Sequence, residues 1–464
     1  MRKLVPVLLA LALAACATTD ANRVKGFERE AEALRQALYI PGLSAAIVKD
    51  QKVLWMHGFG YADLENHVPA TPDTLYHVAS VTKTFGATLV LQLVEKGEVS
   101  LDEPIAPYTP SRFSGKITDP RVQIRHILSH TSAGTTPGDA FAYNGSLYDA
   151  VTAVIEKKYG APFRQVIAQR ILDPLKMTES VPGHEVINDP ELARRYAPNL
   201  ARFAKPYALY GKGEIVPASY PGKEIGASAG LLSTVGDLAK YDIAIDRHVL
   251  LQPKTQELAW TPFVSNKGER LPYGLGWFTG EYRGEKLVWH TGNWGLGFSA
   301  LVFKVPARNV SMILLANSEG LADGFWVPGE TNPFACAFLR QFVLTADDSC
   351  KEAAAAVMNQ WLAGRAAAYE PALTLDEAAL ASYAGEYRPS EGRTHTITRE
   401  GAHLFVDIPR KDDRLEIFPS AKGDFFLKVP TVTRIRFIRE GEKVTALEFT
   451  FGPGETPIRA EKIR

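Results

Sequence analysis

Val78-Ala79-Ser80-Val81-Thr82-Lys83-Thr84-Phe85 is the stretch on which the reading of the fold turns. Ser80 and Lys83 stand three residues apart, so on a helix they share one face. The apolar positions Val81, Phe85, Leu89, Leu93 and Val94 keep a helical rhythm as far as Gly97, a residue suited to ending a helix. Ser80 is therefore expected at a helix N-terminus. The partial positive charge there favours an oxyanion and disfavours an ammonium, which pushes Lys83 toward its neutral, proton-accepting form. A serine hydroxyl needs such help, being a poor nucleophile at neutral pH. Chance alone supplies a Ser-x-x-Lys tetrapeptide about once or twice in a chain this long, so its surroundings decide.

Upstream, Val24, Phe27, Ala31, Leu34 and Leu38 recur at helical spacing and predict an amphipathic helix, after a short tether, that ends before Pro41-Gly42. Residues 43–48 and 53–61 read as a hairpin around Lys49-Asp50-Gln51-Lys52. Far downstream, residues 287–291, 298–305 and 310–316 read as three more strands. Helix, two strands, many helices and three strands predict an α+β domain over residues 22–368, an antiparallel sheet flanked by helices with a helical subdomain. Beyond Pro371 the texture changes to short alternating strands at 394–398, 403–408, 414–418, 424–429, 434–439 and 444–451. That rhythm predicts a small antiparallel barrel or sandwich at residues 375–464.

Composition bounds the function. The 52 basic residues cancel the 52 acidic ones and no long basic run occurs, which argues against nucleic-acid binding. Arg2 and Lys3 precede an apolar run over residues 4–15, the length of a signal-peptide core and short for a permanent membrane span. The run ends in Leu13-Ala14-Ala15-Cys16, which resembles the bacterial lipoprotein cleavage site. That resemblance implies residues 1–16 as signal peptide with its lipobox cysteine, a lipid anchor on Cys16, and a periplasmic protein held, with Ala17 following, at the outer membrane. Cys336 and Cys350 could close a short loop in an oxidising compartment or stand as two buried thiols. No H-E-x-x-H, paired C-x-x-C or phosphate-binding Gly loop occurs, so neither metal nor cofactor is expected.

Three stretches resemble the serine β-lactamase and penicillin-binding-protein family, in its branch of class C β-lactamases, D-alanyl-D-alanine carboxypeptidases and esterases. They are residues 78–83 with the helix that follows and Leu101-Asp102-Glu103-Pro104-Ile105, then residues 125–132, and Trp289-His290-Thr291-Gly292. The likeness covers roughly residues 24–345 and implies a β-lactamase-like fold with an acyl-enzyme on Ser80. By the same resemblance Tyr143, in Phe141-Ala142-Tyr143-Asn144-Gly145, relays the proton to the leaving group, its pKa lowered by nearby Lys83. Gly145 stands where that family has asparagine, so the amide that holds a substrate carbonyl is either missing or supplied by Asn144. His290 takes the place of the family's usual lysine and either offers substrate a hydrogen bond in place of a full charge or stands as a satisfied structural histidine. Thr291 is implied at the substrate's polar end, the main-chain N–H groups of Ser80 and Asn293 as the oxyanion hole, and Gly292 and Gly295 as room for substrate.

The resemblance thus implies hydrolysis of a small-molecule or peptide substrate, an ester, amide or D-amino-acid peptide, with weak or no β-lactamase activity. Three alternatives stand beside it. One is a class C-like β-lactamase, and one is a fold relative that binds peptidoglycan without turnover, motivated by Gly145. The third uses Ser228, because Gly226-Ala227-Ser228-Ala229-Gly230 matches a nucleophile elbow, although Pro217, Pro221 and Gly222 spoil the strand which that motif needs before it. His130 looks like a catalytic base, but the resemblance implies that its stretch is a structural turn, as it is in that family. The sequence is silent on oligomeric state.

Overall fold

The computed structural model describes residues 5–109, 117, 119–133, 136–210, 213–218, 220, 222, 224–294, 297–322, 329–344, 349–368, 373–390, 394–408, 413–427, 433–450 and 457–464. The side chains of 5–19, 210, 364–368, 408, 413 and 433 are outside that description. The side chain of Cys16 and the positions Pro221, Gly295, Pro371, Val429 and Phe451, all used above, therefore lie outside it as well.

Two compact units form. The first holds residues 1–207 and 222–358, the second residues 208–221 and 359–464. In the first unit, helix α1 (Val5–Ala37) leads into strands β1 (Gly42–Lys49) and β2 (Lys52–Asp63). The tether expected before Val24 is helical instead, because α1 already runs through that Ala- and Leu-rich stretch, whose helix propensity is high. Asp50 and Gln51 both adopt positive φ, 50° and 59°, which is what a two-residue hairpin turn between twisted strands requires. β1 and β2 join β3 (Val68–Pro69), β8 (Phe278–Tyr282), β9 (Glu285–Trp294), β10 (Phe298–Val305) and β11 (Val310–Ala316) in one sheet, ordered β3-β2-β1-β11-β10-β9-β8. All its ladders are antiparallel. The centre of the sheet pairs its two chain ends, Leu43 opposite Ala316 and Lys49 opposite Val310.

Helices cover both faces. On one, Phe27 of α1 meets Trp55 of β2 at 6.0 Å and Phe338 of α9 (Pro333–Phe342) at 6.4 Å. Cys336 of α9 forms a disulfide with Cys350 at the start of α10 (Ser349–Ala368). On the other face lies α7 (Val235–Asp246), where Lys304 of β10 meets Asp242 at 2.5 Å and Asp246 at 3.0 Å. α2 (Thr82–Glu95) carries Phe85, which stacks on Tyr241 of α7 at 3.8 Å, and it ends where Gly97 takes φ 71°. The helical subdomain contains α3 (Ile124–Leu128), α4 (Ala150–Tyr159), α5 (Phe163–Ile167) and α6 (Pro190–Leu200). α8 (Pro253–Ala259) precedes β8. A short pair, β4 (Tyr76–His77) with β7 (Leu232–Ser233), completes the described strands of the first unit, while the pair of β5 (Tyr207–Tyr210) with β6 (Glu214–Pro217) falls, apart from Tyr207, in the 208–221 segment of the second.

The second unit contains α11 (Glu377–Tyr383) and a closed eight-stranded barrel. Its strands are β12 (Gly385–Pro389), β13 (His395–Glu400), β14 (His403–Ile408), β15 (Asp413–Ala421), β16 (Asp424–Leu427), β17 (Thr433–Glu440), β18 (Lys443–Thr450) and β19 (Ile458–Lys462). Six strands were expected from the sequence. The two additional ones, β12 and β19, close the barrel by pairing Tyr387 with Lys462 and Pro389 with Ala460. Among the described residues, no helix is long and apolar enough to cross a membrane.

Candidate active site

Ser80 lies in a 3-10 turn, Ala79–Val81, that runs directly into α2. Ala79 has φ 48°, a left-handed conformation that costs a residue with a Cβ of order 1–3 kcal/mol and collects at functional sites. The turn is held from several sides. Val78 N–H donates to the Leu231 carbonyl at 3.0 Å, and Ala79 N–H to Nδ1 of His77 at 3.2 Å. Ser80 keeps part of its surface exposed, while Lys83 is 1% exposed.

Lys83 Nζ donates to Ser80 Oγ at 2.9 Å and to the main-chain carbonyl of Ser228 at 2.9 Å. Its ammonium also lies 5.2 Å from the Tyr143 ring centre and 5.4 Å from that of Tyr148. A buried cation needs such partners, because an unpaired one would lose several kcal/mol of hydration. Ser228 thus enters the site through its backbone. Its N–H is fixed on Asp149 Oδ1 at 3.2 Å, and α2 approaches this loop so closely at Gly86 that a Cβ there would come within 2.7 Å of Ala227 Cβ. With an antiparallel sheet and Ser228 buried, the nucleophile-elbow alternative is set aside.

Tyr143 completes the cluster, its hydroxyl hydrogen-bonded to Ser80. Burial raises the phenol pKa above its usual value, and the Ser80 bond offsets this only in part. The expectation that Lys83 lowers this pKa is corrected: the ammonium sits over the ring face, and desolvation dominates. Asn144 is exposed, and its Oδ1 accepts the Leu147 N–H at 2.9 Å, so its side-chain carbonyl caps the following turn. A Cβ at Gly145 would face Lys83 Nζ at 3.8 Å, in ordinary contact, which leaves that side of the lysine open.

The β9 segment borders the serine turn. β8 pairs with β9 only as far as Trp289, so residues 290–294 run on with no β8 partner. Gly292 faces the turn at such short range that a Cβ would lie 2.3 Å from the Val78 carbonyl oxygen. Thr291 is largely buried, opposite Leu301 of β10, and Asn293 is half-buried opposite Ser299. His290 was expected to reach substrate, and this too is corrected. It is 0% exposed, Tyr273 Oη donates to its Nε2 at 2.8 Å, and its Nδ1 donates to the Thr291 carbonyl at 2.6 Å. Burial first and the Lys83 charge second lower its pKa to about 3, so it is a neutral imidazole inside the domain. Tyr148, Tyr273 and the Ser228 carbonyl had no sequence signal, since each reaches the site only through tertiary packing.

A serine and a lysine one helical turn apart, with a tyrosine on the same hydroxyl and an antiparallel strand alongside, define a serine-hydrolase fold of the penicillin-binding type. The profile of the Beta-lactamase family matches residues 27–325, more than half of the sequence, and the chain belongs to that family. Residues 370–462 match a domain of unknown function, DUF3471. Penicillin-binding protein 4* of Bacillus subtilis (strain 168) is 23% identical over 453 residues, covering 88% of this chain and 93% of its own. Protein flp of Staphylococcus aureus (strain MW2) is 26% identical over 317 residues, with 60% of each chain covered. Among solved structures, the octameric penicillin-binding protein homologue from Pyrococcus abyssi has a TM-score of 0.58 at 22% identity, over 95% of this chain and 100% of that one. D-alanine carboxypeptidase AmpC from Burkholderia cenocepacia has a TM-score of 0.54 at 22% identity, over 69% and 99%. D-amino acid amidase from Ochrobactrum anthropi has the same TM-score at 20% identity, over 69% and 98%. At these identities the structural likeness is one of fold.

Proposed function

We propose that this protein hydrolyses small esters, amides or D-amino-acid peptides through an acyl-enzyme on Ser80. Lys83, once it has given up its extra proton and stands as the free amine, takes the Ser80 proton as Oγ attacks the carbonyl carbon. The main-chain N–H groups of Ser80 and Asn293 receive the oxyanion, and the Tyr143 phenol protonates the departing oxygen or nitrogen. Water then attacks the acyl carbon, releasing the acid and returning the proton to the Ser80–Lys83–Tyr143 cluster. The observation that carries this reading is the contact of both Lys83 Nζ and Tyr143 Oη with one serine oxygen. The raised phenol pKa suits a donor better than a base, which leaves Lys83 as the base.

The substrate class rests on position 290. A neutral, buried imidazole offers no cation to a substrate carboxylate, so carboxylate-bearing β-lactams should be poor substrates beside neutral esters and amides. We assign this chemistry to residues 22–368 and treat residues 375–464 as a separate β domain. Leu13-Ala14-Ala15-Cys16 motivates the further reading that the chain is exported and lipidated on Cys16 at the outer membrane. Radiolabelled palmitate should enter the parent and not Cys16→Ser.

A fluorophosphonate probe tests the core. It should label Ser80, and Ser80→Ala should lose both label and turnover while staying folded. Lys83→Ala should slow acylation by about a hundredfold. A Ser80→Ala variant that keeps more than a few per cent of the rate ends the proposal. Rates on p-nitrophenyl esters, D-alanyl peptides and a chromogenic cephalosporin then rank the substrates.

A further inference from the structure

His130 belongs to none of the roles assigned above, yet it touches the segment that carries Tyr143 three times. Its carbonyl accepts the Ala142 N–H at 2.9 Å and its Nδ1 accepts the Asn144 N–H at 3.2 Å. Its ring lies 4.2 Å from the Tyr143 ring, centre to centre. Residues 142 and 144, on either side of the tyrosine, are thus tied to one residue, and the phenol rests on that residue's ring. Phe278 of β8 stacks on the same phenol at 5.9 Å.

His130 itself is firmly held. It is 2% exposed, and its backbone is left-handed at φ 55° with its N–H bonded to the Ile127 carbonyl at 3.2 Å. The surrounding turn is fixed as Thr131 N–H donates to the His126 carbonyl at 2.8 Å and Gly138 N–H to the Thr131 carbonyl at 2.7 Å. The titratable groups facing the ring are Lys83, Tyr143, Tyr148, Tyr273 and His290. Burial, with Lys83 and His290 alongside, holds the imidazole pKa well below its ordinary value. Nδ1 therefore keeps the lone pair that the Asn144 N–H needs.

We infer that His130 is the positioning residue for Tyr143: its Nδ1 fixes the Asn144 main chain and so sets where the phenol hydroxyl stands relative to Ser80. This rests on the acyl-enzyme reading above and adds to it a residue that never meets substrate. A phenol displaced by even about 1 Å loses proton transfer on a scale of up to a hundredfold, while binding through other groups persists.

The experiment compares four proteins with a p-nitrophenyl ester: parent, Tyr143→Phe, His130→Phe and His130→Asn. His130→Phe keeps a ring and removes the acceptor. His130→Asn places Oδ1 near the position of Nδ1, and asparagine tolerates positive φ. His130→Phe should lower kcat by about 10- to 100-fold with KM within about threefold, and His130→Asn should recover most of that loss. In the Tyr143→Phe background, His130→Phe should add less than about threefold, because its effect passes through the missing hydroxyl. His130→Leu serves the same arm where phenylalanine does not fold. Full additivity with Tyr143→Phe, an asparagine variant as slow as phenylalanine, or a kcat within twofold of parent each overturns the inference. If Tyr143→Phe is itself as fast as the parent, the role given to Tyr143 fails along with the inference. If Tyr143→Phe is slow and His130→Phe is not, the inference fails alone.

Discussion

Replacing His290 with glutamine should remove a large pH dependence from the stability of the first unit. The imidazole is buried with both nitrogens bonded, and its pKa falls from the ordinary 6.5 to about 3. Above pH 6.5 the ring is neutral in folded and unfolded chain alike, and its contribution is constant. Between pH 6.5 and about 3 the unfolded chain binds a proton that the folded chain refuses, so stability falls as the pH falls. Below about 3 both states are protonated and the loss is complete, at about 5 kcal/mol in total. His130 and the carboxylates add slopes of their own, which cancel when parent and variant are compared. Urea unfolding followed by tryptophan fluorescence between pH 7.5 and 4 measures both. The parent should lose about 1.4 kcal/mol more per pH unit than His290→Gln between pH 6 and 4. Parallel curves over that interval would show that His290 is protonated inside the fold, and the account of a neutral site floor would fall with it.

Gly292→Ala places a methyl group 2.3 Å from the Val78 carbonyl, so β9 and the serine turn must part. We expect kcat to drop tenfold or more for about 1–3 kcal/mol of stability, read by ester kinetics and thermal melts. Lys304→Met leaves Asp242 and Asp246 without their buried cation and should cost about 3–5 kcal/mol in urea, a loss that adding Asp242→Asn partly restores. Replacing Cys336 and Cys350 by serine should cost about 3 kcal/mol, the entropy of closing a short loop. In the parent, neither cysteine should react with an alkylating agent until reductant is added.

The sequence carried the parts of this architecture that depend on local order. Ser80 and Lys83 meet because three residues on a helix make neighbours, and Asp50-Gln51 turns the hairpin because two residues with positive φ suffice. Strand β8 escaped notice, since Phe278-Thr279-Gly280-Glu281-Tyr282 is short and holds a glycine. β12 and β19 escaped for similar reasons, one ending in Pro389 and the other mostly charged. His290 was legible as part of a motif and as a candidate structural histidine, but the choice between the two turns on its enclosure by Tyr273 and Phe278 from the unread stretch before it. Likewise the Ser228 carbonyl could not be foreseen from a motif that drew attention to the Ser228 hydroxyl.

The pairing of β1 with β11 bears on how the chain comes to fold. The hairpin β1–β2 leaves the ribosome long before β11, its inner neighbour, which is encoded at the far end of the domain, with Leu43 waiting for Ala316. Until then, β1 offers an unsatisfied apolar edge and Ser80 sits on a helix with no sheet behind it. The barrel repeats the arrangement, because β12 finds its second partner only when β19 has been made. Neither unit can therefore be completed vectorially. Long-range closure of this kind is slow, and it lengthens the time in which a nascent chain remains open to chaperones, to proteases or to passage through a narrow channel.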